Sequence, residues 1–348
     1  MLCVLWILQQ AVLGSAALES RLITQPLFLT PLIQKQSYSI ARNASKVDFF
    51  QREAGVEAYS GYITVQNGSH FYFLFLKASE SNGRRRPLIL WLQGGPGKSG
   101  LFGQFLENGP VGIDAEGNLY NRSCTFQHDA HMFYVDYPAG GGFSIIEDVT
   151  VLSKTLNDVA KDLKKFLRQF FNLFFEYRNT TLYLAGESYG ARAAVSLALR
   201  LTHRNLAGVI LSSPFVVPVE GGIFKSPEFL YQTGLLDATG REQLCQRFAN
   251  ISQISKQNKT LAALLLAQTV GNLNLGGQKS LFKQLTGYDY HGSILHSKVP
   301  RQIRKYMELV NGTEMKAALH VSPHAYTVID HSFSTFWPKT FSMPLRTM

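Results

Sequence analysis

The sequence is poor in charged residues, poor in cysteine and, beyond its first residues, without a long apolar run. Only 17% of its 348 residues are charged while 45% are hydrophobic, a balance that excludes a disordered chain. No segment after the N-terminus offers about 18 uninterrupted apolar residues, so no membrane anchor is predicted. The length suits one large domain or two smaller ones with a sizeable core.

The cysteines are Cys3, Cys124 and Cys245. Their spacing resembles no metal site, and we predict neither a metal nor another cofactor. Two residues cannot decide whether Cys124 and Cys245 pair with each other or both stay free.

Basic residues exceed acidic ones, and the formal net charge is +10. They are scattered along the chain, and the one dense cluster is GRRRP at residues 83–87. A nucleic-acid-binding protein usually concentrates its charge, so this cluster predicts a solvated loop and no nucleic-acid partner. The oligomeric state is not predicted.

Residues 1–17 have the apolar run and the small residues of a secretory signal peptide, although no basic residue precedes the run. Export is also favoured by seven Asn-x-Ser/Thr sequons. The predicted glycosylation sites are Asn43, Asn67, Asn121, Asn179, Asn250, Asn258 and Asn311. We therefore expect a glycoprotein of the secretory pathway, extracellular or lysosomal.

The first regular pattern is AYSGYITVQNGSHFYFLFLKA from residue 58, which predicts a β-hairpin with a type I′ turn at Asn67-Gly68. Apolar strands follow in LILWLQ and HMFYVDY. Apolar residues from Val159 to Phe174 then recur every three or four positions, which predicts an amphipathic helix packed on a core.

The most informative segment is TLYLAGESYGARAAVSLALR, residues 181–200. An apolar strand meets Gly-Glu-Ser-Tyr-Gly, and an alanine-rich helix follows. Strand, G-x-S-x-G and helix are the context of a nucleophile elbow, in which glycines allow a sharp turn that exposes Ser188. An ordinary strand-to-helix turn is the alternative. The next strand, LAGVILSS, completes the alternation typical of a mostly parallel sheet covered by helices.

A glycine-rich loop ending in Gly97-Lys98-Ser99 follows the LILWLQ strand and invites comparison with a phosphate-binding P-loop. Leu92 occupies the position of the first required glycine, so the P-loop reading fails. A glycine-rich loop upstream of an elbow is instead where an α/β-hydrolase supplies one oxyanion donor, the second being the N–H that follows the nucleophile. Gly95 and Tyr189 are the candidates.

Four motifs in this order resemble the serine carboxypeptidase family: WLQGGPG at residue 91, LENGP at 106, FYVDYPAGGGFS at 133 and GESYGA at 186. PEFLYQTGLLD at residue 227 resembles the vitellogenic-like branch. The resemblance implies an α/β-hydrolase fold with a helical cap insertion. The expected segments are a signal peptide at 1–17, an N-terminal extension at 18–57, the core at 58–214, the cap at 215–305 and a truncated return to the core at 306–348.

The family implies removal of C-terminal residues from peptides, with Ser188 as nucleophile and the N–H groups of Gly95 and Tyr189 as oxyanion donors. Gln93, Glu107 and Glu187 match the group that recognises the substrate's terminal carboxylate. Acidic side chains can bind a carboxylate only where a proton is shared, which explains a preference for acid. Peptide C-termini are thus the expected partners. Acyl transfer, which uses the same serine, is a further alternative.

Several positions depart from the family's pattern. Lys98-Ser99-Gly100 replaces Gly/Cys-Ser-Ser, the elbow reads GESYGA instead of GESYAG, and Arg192 follows it. After EMKAALHV at residue 314 the strands that carry the family's Asp and His are expected to be missing. Asp330 and His331 are neighbours that would point to opposite faces of a strand, and His320 and His324 lack a suitable context. The sequence therefore predicts an inactive or peptide-binding relative, or an incomplete carboxypeptidase.

Overall fold

A computed structural model describes residues 26–78, 86–201, 205–219, 221–271, 279–290 and 292–325. Within these ranges a seven-stranded sheet forms the centre of the molecule. The strands are β1 Ala58–Gln66, β2 Ser69–Leu76, β3 Leu88–Leu92, β4 Val111–Ile113, β5 Leu119–Asn121, β6 His131–Val135, β7 Ile145–Ile146, β8 Leu182–Glu187 and β9 Leu206–Ser212. Of these, β4 and β5 pair with each other as a separate antiparallel ribbon.

The central sheet has the order β1-β2-β6-β3-β8-β9, with β7 against β2. The hairpin β1–β2 joins β6 in antiparallel fashion, whereas β6, β3, β8 and β9 run parallel. Every residue of β3 is buried, because this strand lies inside the sheet and its sequence is apolar throughout. The mostly parallel sheet of an α/β-hydrolase fold is thereby confirmed.

The predicted hairpin is present, but its turn is not of type I′. Gly68 has a φ of 71°, whereas Asn67 is not among the residues with positive φ, and a type I′ turn needs positive φ at both positions. The pairing of β1 with β2 shifts between Thr64 and Gln66. This bulge adds the local twist that a type I′ turn would otherwise provide.

Helices cover the sheet and form the cap. The core helices are α1 Thr30–Gln34, α2 Tyr38–Ser45, α3 Asp48–Ala54, α4 Leu156–Leu173 and α5 Gly190–Ala198; the later ones are α6 Ser226–Gln232, α7 Ala238–Ser255, α8 Lys259–Val270, α9 Leu281–Thr286, α10 Arg301–Asn311 and α11 Thr313–Ala318. A π-helical turn spans Gly103–Asn108, and short 3₁₀ turns lie at Phe126–His128, Val149–Val151, Phe175–Tyr177 and Ile223–Lys225.

Helix α4 is the amphipathic helix predicted from the apolar spacing. It begins with a capping box in which Thr155 and Asp158 satisfy each other's backbone N–H groups. Phe166 and Phe170 are fully buried, and the Phe170 ring stacks on Phe133 of β6 with centroids 4.7 Å apart. This helix therefore packs against one face of the sheet.

A separate apolar cluster belongs to the segment that follows β9. Most of its buried members come from helices α6 to α8, among them Leu230, Leu244, Phe248 and Leu266. Helix α10 instead returns to the sheet, where Tyr306 and the π-helical turn contact each other. The helical segment thus has a core of its own above the carboxyl ends of the parallel strands.

No helix in the described part of the chain is long and apolar enough to cross a membrane. Cys124 and Cys245 are both free and exposed. The predicted signal peptide, Arg84 and Arg85 lie outside the described residues.

Candidate active site

Ser188 occupies a sharp turn between β8 and α5. Its φ of 52° lies in the left-handed region that most residues other than glycine avoid. A Cβ added to Gly190 would come within 2.0 Å of the Leu92 carbonyl oxygen, so glycine alone fits there. The Ser188 N–H donates to the Ser212 carbonyl at 3.0 Å, and the Phe215 N–H donates to the Ser188 carbonyl at 3.0 Å. These features hold the strained backbone that a nucleophile elbow requires.

The glycine-rich loop after β3 packs directly on this elbow. Because β3 and β8 are adjacent and parallel, their carboxyl ends lie at one edge of the sheet. A Cβ added to Gly94 would lie 2.9 Å from the Ser188 Cβ and 3.4 Å from its Oγ. Gly95 has a φ of 118° and lines the same cavity as Ser188, while Tyr189 follows Ser188 in the chain and is buried. Both candidate oxyanion donors therefore belong to segments in contact with the elbow.

Gln93, Glu107 and Glu187 are brought together beside this loop. Gln93 is buried; its Oε1 accepts from the indole N–H of Trp91 at 2.7 Å, and its amide nitrogen donates to Glu187. The Tyr137 hydroxyl donates to the Gln93 carbonyl at 3.0 Å. Glu107 comes from the π-helical turn and hydrogen-bonds to Glu187, and its Oε2 is buried with no partner within the described ranges.

The two carboxyl groups share one site, and this changes the ionisation of Glu107. Burial, and then the neighbouring Glu187 carboxylate, raise the pKa of Glu107 from 4.5 to about 9. Lys98 and Gln93 oppose the rise. Glu107 is consequently protonated at neutral pH and can donate a hydrogen bond, which two ionised carboxylates could not do.

A cavity of about 580 Å³ opens next to Ser188, between the sheet and the helical cap. The lining from the core includes Gln93, Gly94, Gly95, Lys98, Glu187 and Ser188. From the cap and the segment leading into it come Phe215, Phe229, Phe282, Tyr288 and Tyr290 among others. A mostly apolar cleft of this size, with few polar groups at one end, suits a few residues of a peptide.

The aromatic residues of the cap were not identified from the sequence. Burial, and then the carboxyl groups of Glu107 and Glu187, raise the pKa of Tyr290, so this cap residue lies close to both acids. The spacing of Tyr288 and Tyr290 carries no signal for such a role. Their place over the sheet depends on how the cap is attached, which a local pattern does not encode.

The histidines considered from the sequence lie elsewhere. His320 contacts the Ser60 hydroxyl through Nδ1 at 2.9 Å, and His324 is exposed; neither lines the cavity. Asp330 and His331 lie outside the described residues. Within the described ranges, no hydrogen bond joins Ser188 Oγ to an aspartate or histidine side chain, and no three His, Cys, Asp or Glu side chains are grouped as a metal site.

The chain is similar in sequence to known serine carboxypeptidases. The sequence profile of the family described as serine carboxypeptidase matches residues 49–342. The venom serine carboxypeptidase of Apis mellifera is 34% identical over 312 residues, covering 86% of this chain and 66% of the relative. The vitellogenic carboxypeptidase of Aedes aegypti is 32% identical over 306 residues, covering 85% and 64%. The chain thus spans about two thirds of the length of these relatives.

Among solved structures, a prohormone-processing carboxypeptidase from Saccharomyces cerevisiae superposes with a TM-score of 0.61. The alignment covers 87% of this chain and 74% of the yeast chain, at 18% sequence identity. At that identity the likeness concerns the fold.

Proposed function

The chain belongs to the serine carboxypeptidase family, and on that premise we propose that its cavity binds the C-terminal end of a peptide beside the Ser188 hydroxyl. The observation that carries the proposal is the buried carboxyl pair Glu107 and Glu187, in which Glu187 lines the cavity and Glu107 hydrogen-bonds to it. The raised pKa of Glu107 favours its protonated form, and its buried Oε2 lacks a partner within the described residues. A peptide carboxylate is the group that this arrangement can accept.

In this proposal the three polar residues have different roles. When a peptide binds, the single proton of Glu107 leaves its hydrogen bond with Glu187 and is donated through Oε2 to the peptide carboxylate, while Glu187 keeps the hydrogen bond from Gln93. Gln93 donates through its amide nitrogen, and the Trp91 indole fixes which way its amide points. An amide at the peptide's end would offer donors where the site needs an acceptor, so the site discriminates against it.

We propose Ser188 as the nucleophile of the site and the N–H groups of Gly95 and Tyr189 as its oxyanion donors. A carboxylate bound at the acid pair would leave the last peptide bond near Ser188. Two backbone donors there would stabilise the negative charge of a tetrahedral intermediate.

Activity also needs a base for the Ser188 hydroxyl. Among the described residues no histidine hydrogen-bonds to Ser188, and losing triad members costs roughly 10⁴–10⁶-fold in turnover. We therefore propose a peptide-binding site with very slow turnover. Release of C-terminal residues at the family's rate is the second candidate, and it is favoured by the strained elbow around Ser188.

Labelling by a fluorophosphonate probe at pH 5 distinguishes these two candidates, with Ser188→Ala as the control. The proposed binding site is supported if labelling is slow and if a peptide with a free C-terminus slows it further. Rapid labelling that the alanine variant abolishes contradicts slow turnover and shows that a base reaches Ser188.

We also propose that the protein follows the secretory pathway and carries N-linked glycans. Six of the seven sequon asparagines are exposed, and Asn311 is half-buried. Digestion with a peptide N-glycosidase should lower the mass of protein expressed in secretory cells by several glycans. An unchanged mass would contradict the proposal.

A further inference from the structure

Lys98 is the cation that lines the Ser188 cavity in the described part of the chain. Its ammonium lies 5.0 Å from the centroid of the Phe102 ring, and the residue is half-buried. Among the described residues no carboxylate lies within 4.0 Å of the Lys98 ammonium, the distance that defines an ion pair. Several other lysines do have a carboxylate partner at that distance. Those paired lysines are Lys77, Lys161, Lys165, Lys283 and Lys305.

The position of Lys98 is fixed by its loop. The Lys98 N–H donates to the Gly94 carbonyl at 3.2 Å, and the Gly142 N–H donates to the Gly97 carbonyl at 2.8 Å. Two residues later, the Gly100 N–H donates to buried Asp136 at 2.6 Å. The backbone on both sides is therefore held, and only the side chain of Lys98 is free to follow a ligand.

The nearby acids do not neutralise Lys98. Lys98 favours the ionised form of Glu107, but burial and Glu187 outweigh it, so Glu107 stays protonated. Glu187, the other member of the acid pair, belongs to the proposed site of the peptide's terminal carboxylate. Lys98 and Glu187 are the charged residues among those that line the cavity. A second negative group on the ligand would thus find a cation with no competing partner.

We propose that Lys98 makes the cavity select peptides with an aspartate or glutamate side chain in one of their last two residues. This inference rests on the proposed function, because the acid pair has to take the terminal carboxylate. The cation stands on the loop that carries Gly95, beside Ser188, so the side chain it recognises belongs to a residue next to the bond at Ser188. A half-buried ion pair of this kind changes affinity by roughly tenfold, more than an exposed surface pair.

Equilibrium binding to the Ser188→Ala protein tests the inference without turnover. The probes are two pairs of N-acetylated pentapeptides with free C-termini, differing only by glutamate or glutamine at the last or the next-to-last residue. We expect the glutamate peptide of at least one pair to bind about tenfold more tightly than its glutamine twin. High salt should reduce this difference, because it screens the charges.

Variants of Lys98 in the same background complete the test. Lys98→Met and Lys98→Gln should bring both peptides of the pair to the same affinity, whereas Lys98→Arg should keep the preference. Thermal unfolding shows whether each variant is folded. Equal binding of glutamate and glutamine peptides, or equal weakening of both by Lys98→Met, would overturn the role of Lys98 while leaving the proposed function intact. No binding of any peptide would overturn the proposed function, and this inference with it.

Discussion

Asp136 shows how a single buried carboxylate can hold two loops of a site together. Its Oδ1 accepts from the Gly100 N–H at 2.6 Å and from the Ser99 hydroxyl at 3.0 Å, and its Oδ2 accepts from the Phe143 N–H at 2.6 Å. Burial raises the pKa of Asp136 to about 7, and the three donors oppose this rise. The glycine-rich loop beside Ser188 is thereby joined to the segment that follows β6.

We expect Asp136→Asn to lower the free energy of unfolding by about 2 kcal/mol, because the asparagine nitrogen would face a backbone N–H and leave it buried without an acceptor. Urea unfolding measures the change. Ser99→Ala removes one of the three donors and leaves both oxygens occupied, and the one N–H it leaves without an acceptor is that of Leu101, whose hydrogen bond to Ser99 Oγ is longer, at 3.2 Å; it is the matched control and should cost less, about 1 kcal/mol. Equal stability of the asparagine variant and the parent protein would show that the carboxylate does not hold these loops.

The raised pKa of Glu107 determines how we expect peptide binding to depend on pH. The protonated form is the donor; it is present below the raised pKa of Glu107 and is lost as the pH rises through it. We therefore expect the dissociation constant for a peptide to be flat up to about pH 8 and to rise about tenfold per pH unit above about pH 9. Calorimetric titration across this range measures it.

The control for this dependence is Glu107→Gln, which keeps a donor that cannot ionise. Glu187, Lys98 and Tyr290 also face Glu107 and remain in the variant. The variant should bind at neutral pH and lose most of the rise at high pH. The same rise in both proteins would assign the pH dependence to another group.

At the scale of elements, Arg192 of helix α5 fastens the beginning of the cap to the elbow. The side chain is buried; its Nε donates to the Phe215 carbonyl at 2.6 Å, and a terminal nitrogen donates to the Val217 carbonyl. The guanidinium also lies 4.6 Å from the centroid of the Phe215 ring. Since the Phe215 N–H donates to the Ser188 carbonyl, the elbow at Ser188 and the beginning of the cap are held by the same group of contacts.

We expect Arg192→Ala to destabilise the protein by about 3 kcal/mol, because two carbonyls would lose a charged donor. Cleavage by chymotrypsin near Phe215 should become faster at the same time. Arg192→Lys, which keeps the charge but offers a single donor nitrogen, should lie between the two proteins. Unchanged cleavage and stability in Arg192→Ala would mean that the cap is held by other contacts.

Elements whose signal is local could be predicted from the sequence. The elbow at Ser188 and the loop at Gly95 follow apolar strands, and their glycines have no room for a side chain, so a short pattern defines each. The prediction of a type I′ turn at Asn67-Gly68 is wrong, because a bulge in β1 changes the twist of the strands that the turn connects. Phe229 and Tyr290 could not be found, since their place at the cavity depends on how the cap is attached to the core.

At the scale of the whole molecule, β9 is the outermost strand of the sheet within the described ranges. Its residues Val209, Ile210 and Leu211 are 37%, 38% and 40% exposed. Among the described strands no partner pairs with the outer edge of β9, and an aliphatic edge strand of this kind favours association with another chain. We expect the protein to self-associate as its concentration rises, and Ile210→Lys to shift it toward the monomer in sedimentation velocity.

The control for the edge strand is Leu264→Lys, which adds the same charge at an exposed position of α8, away from the sheet. It should leave the association unchanged. A parent protein that stays monomeric over the whole range would contradict the expectation, as would an equal effect of both lysines.

The central claim is that the cavity beside Ser188 recognises the free carboxylate of a peptide, and the most direct measurement compares one peptide in two forms. The Ser188→Ala protein is titrated with a pentapeptide bearing a free C-terminal carboxylate and with the same pentapeptide bearing a C-terminal amide. The account predicts that the acid binds at least about tenfold more tightly than the amide, because a carboxylate accepts from protonated Glu107 and Gln93 where an amide cannot do both. Equal affinity of the two forms, at a pH where Glu107 is protonated, would contradict it.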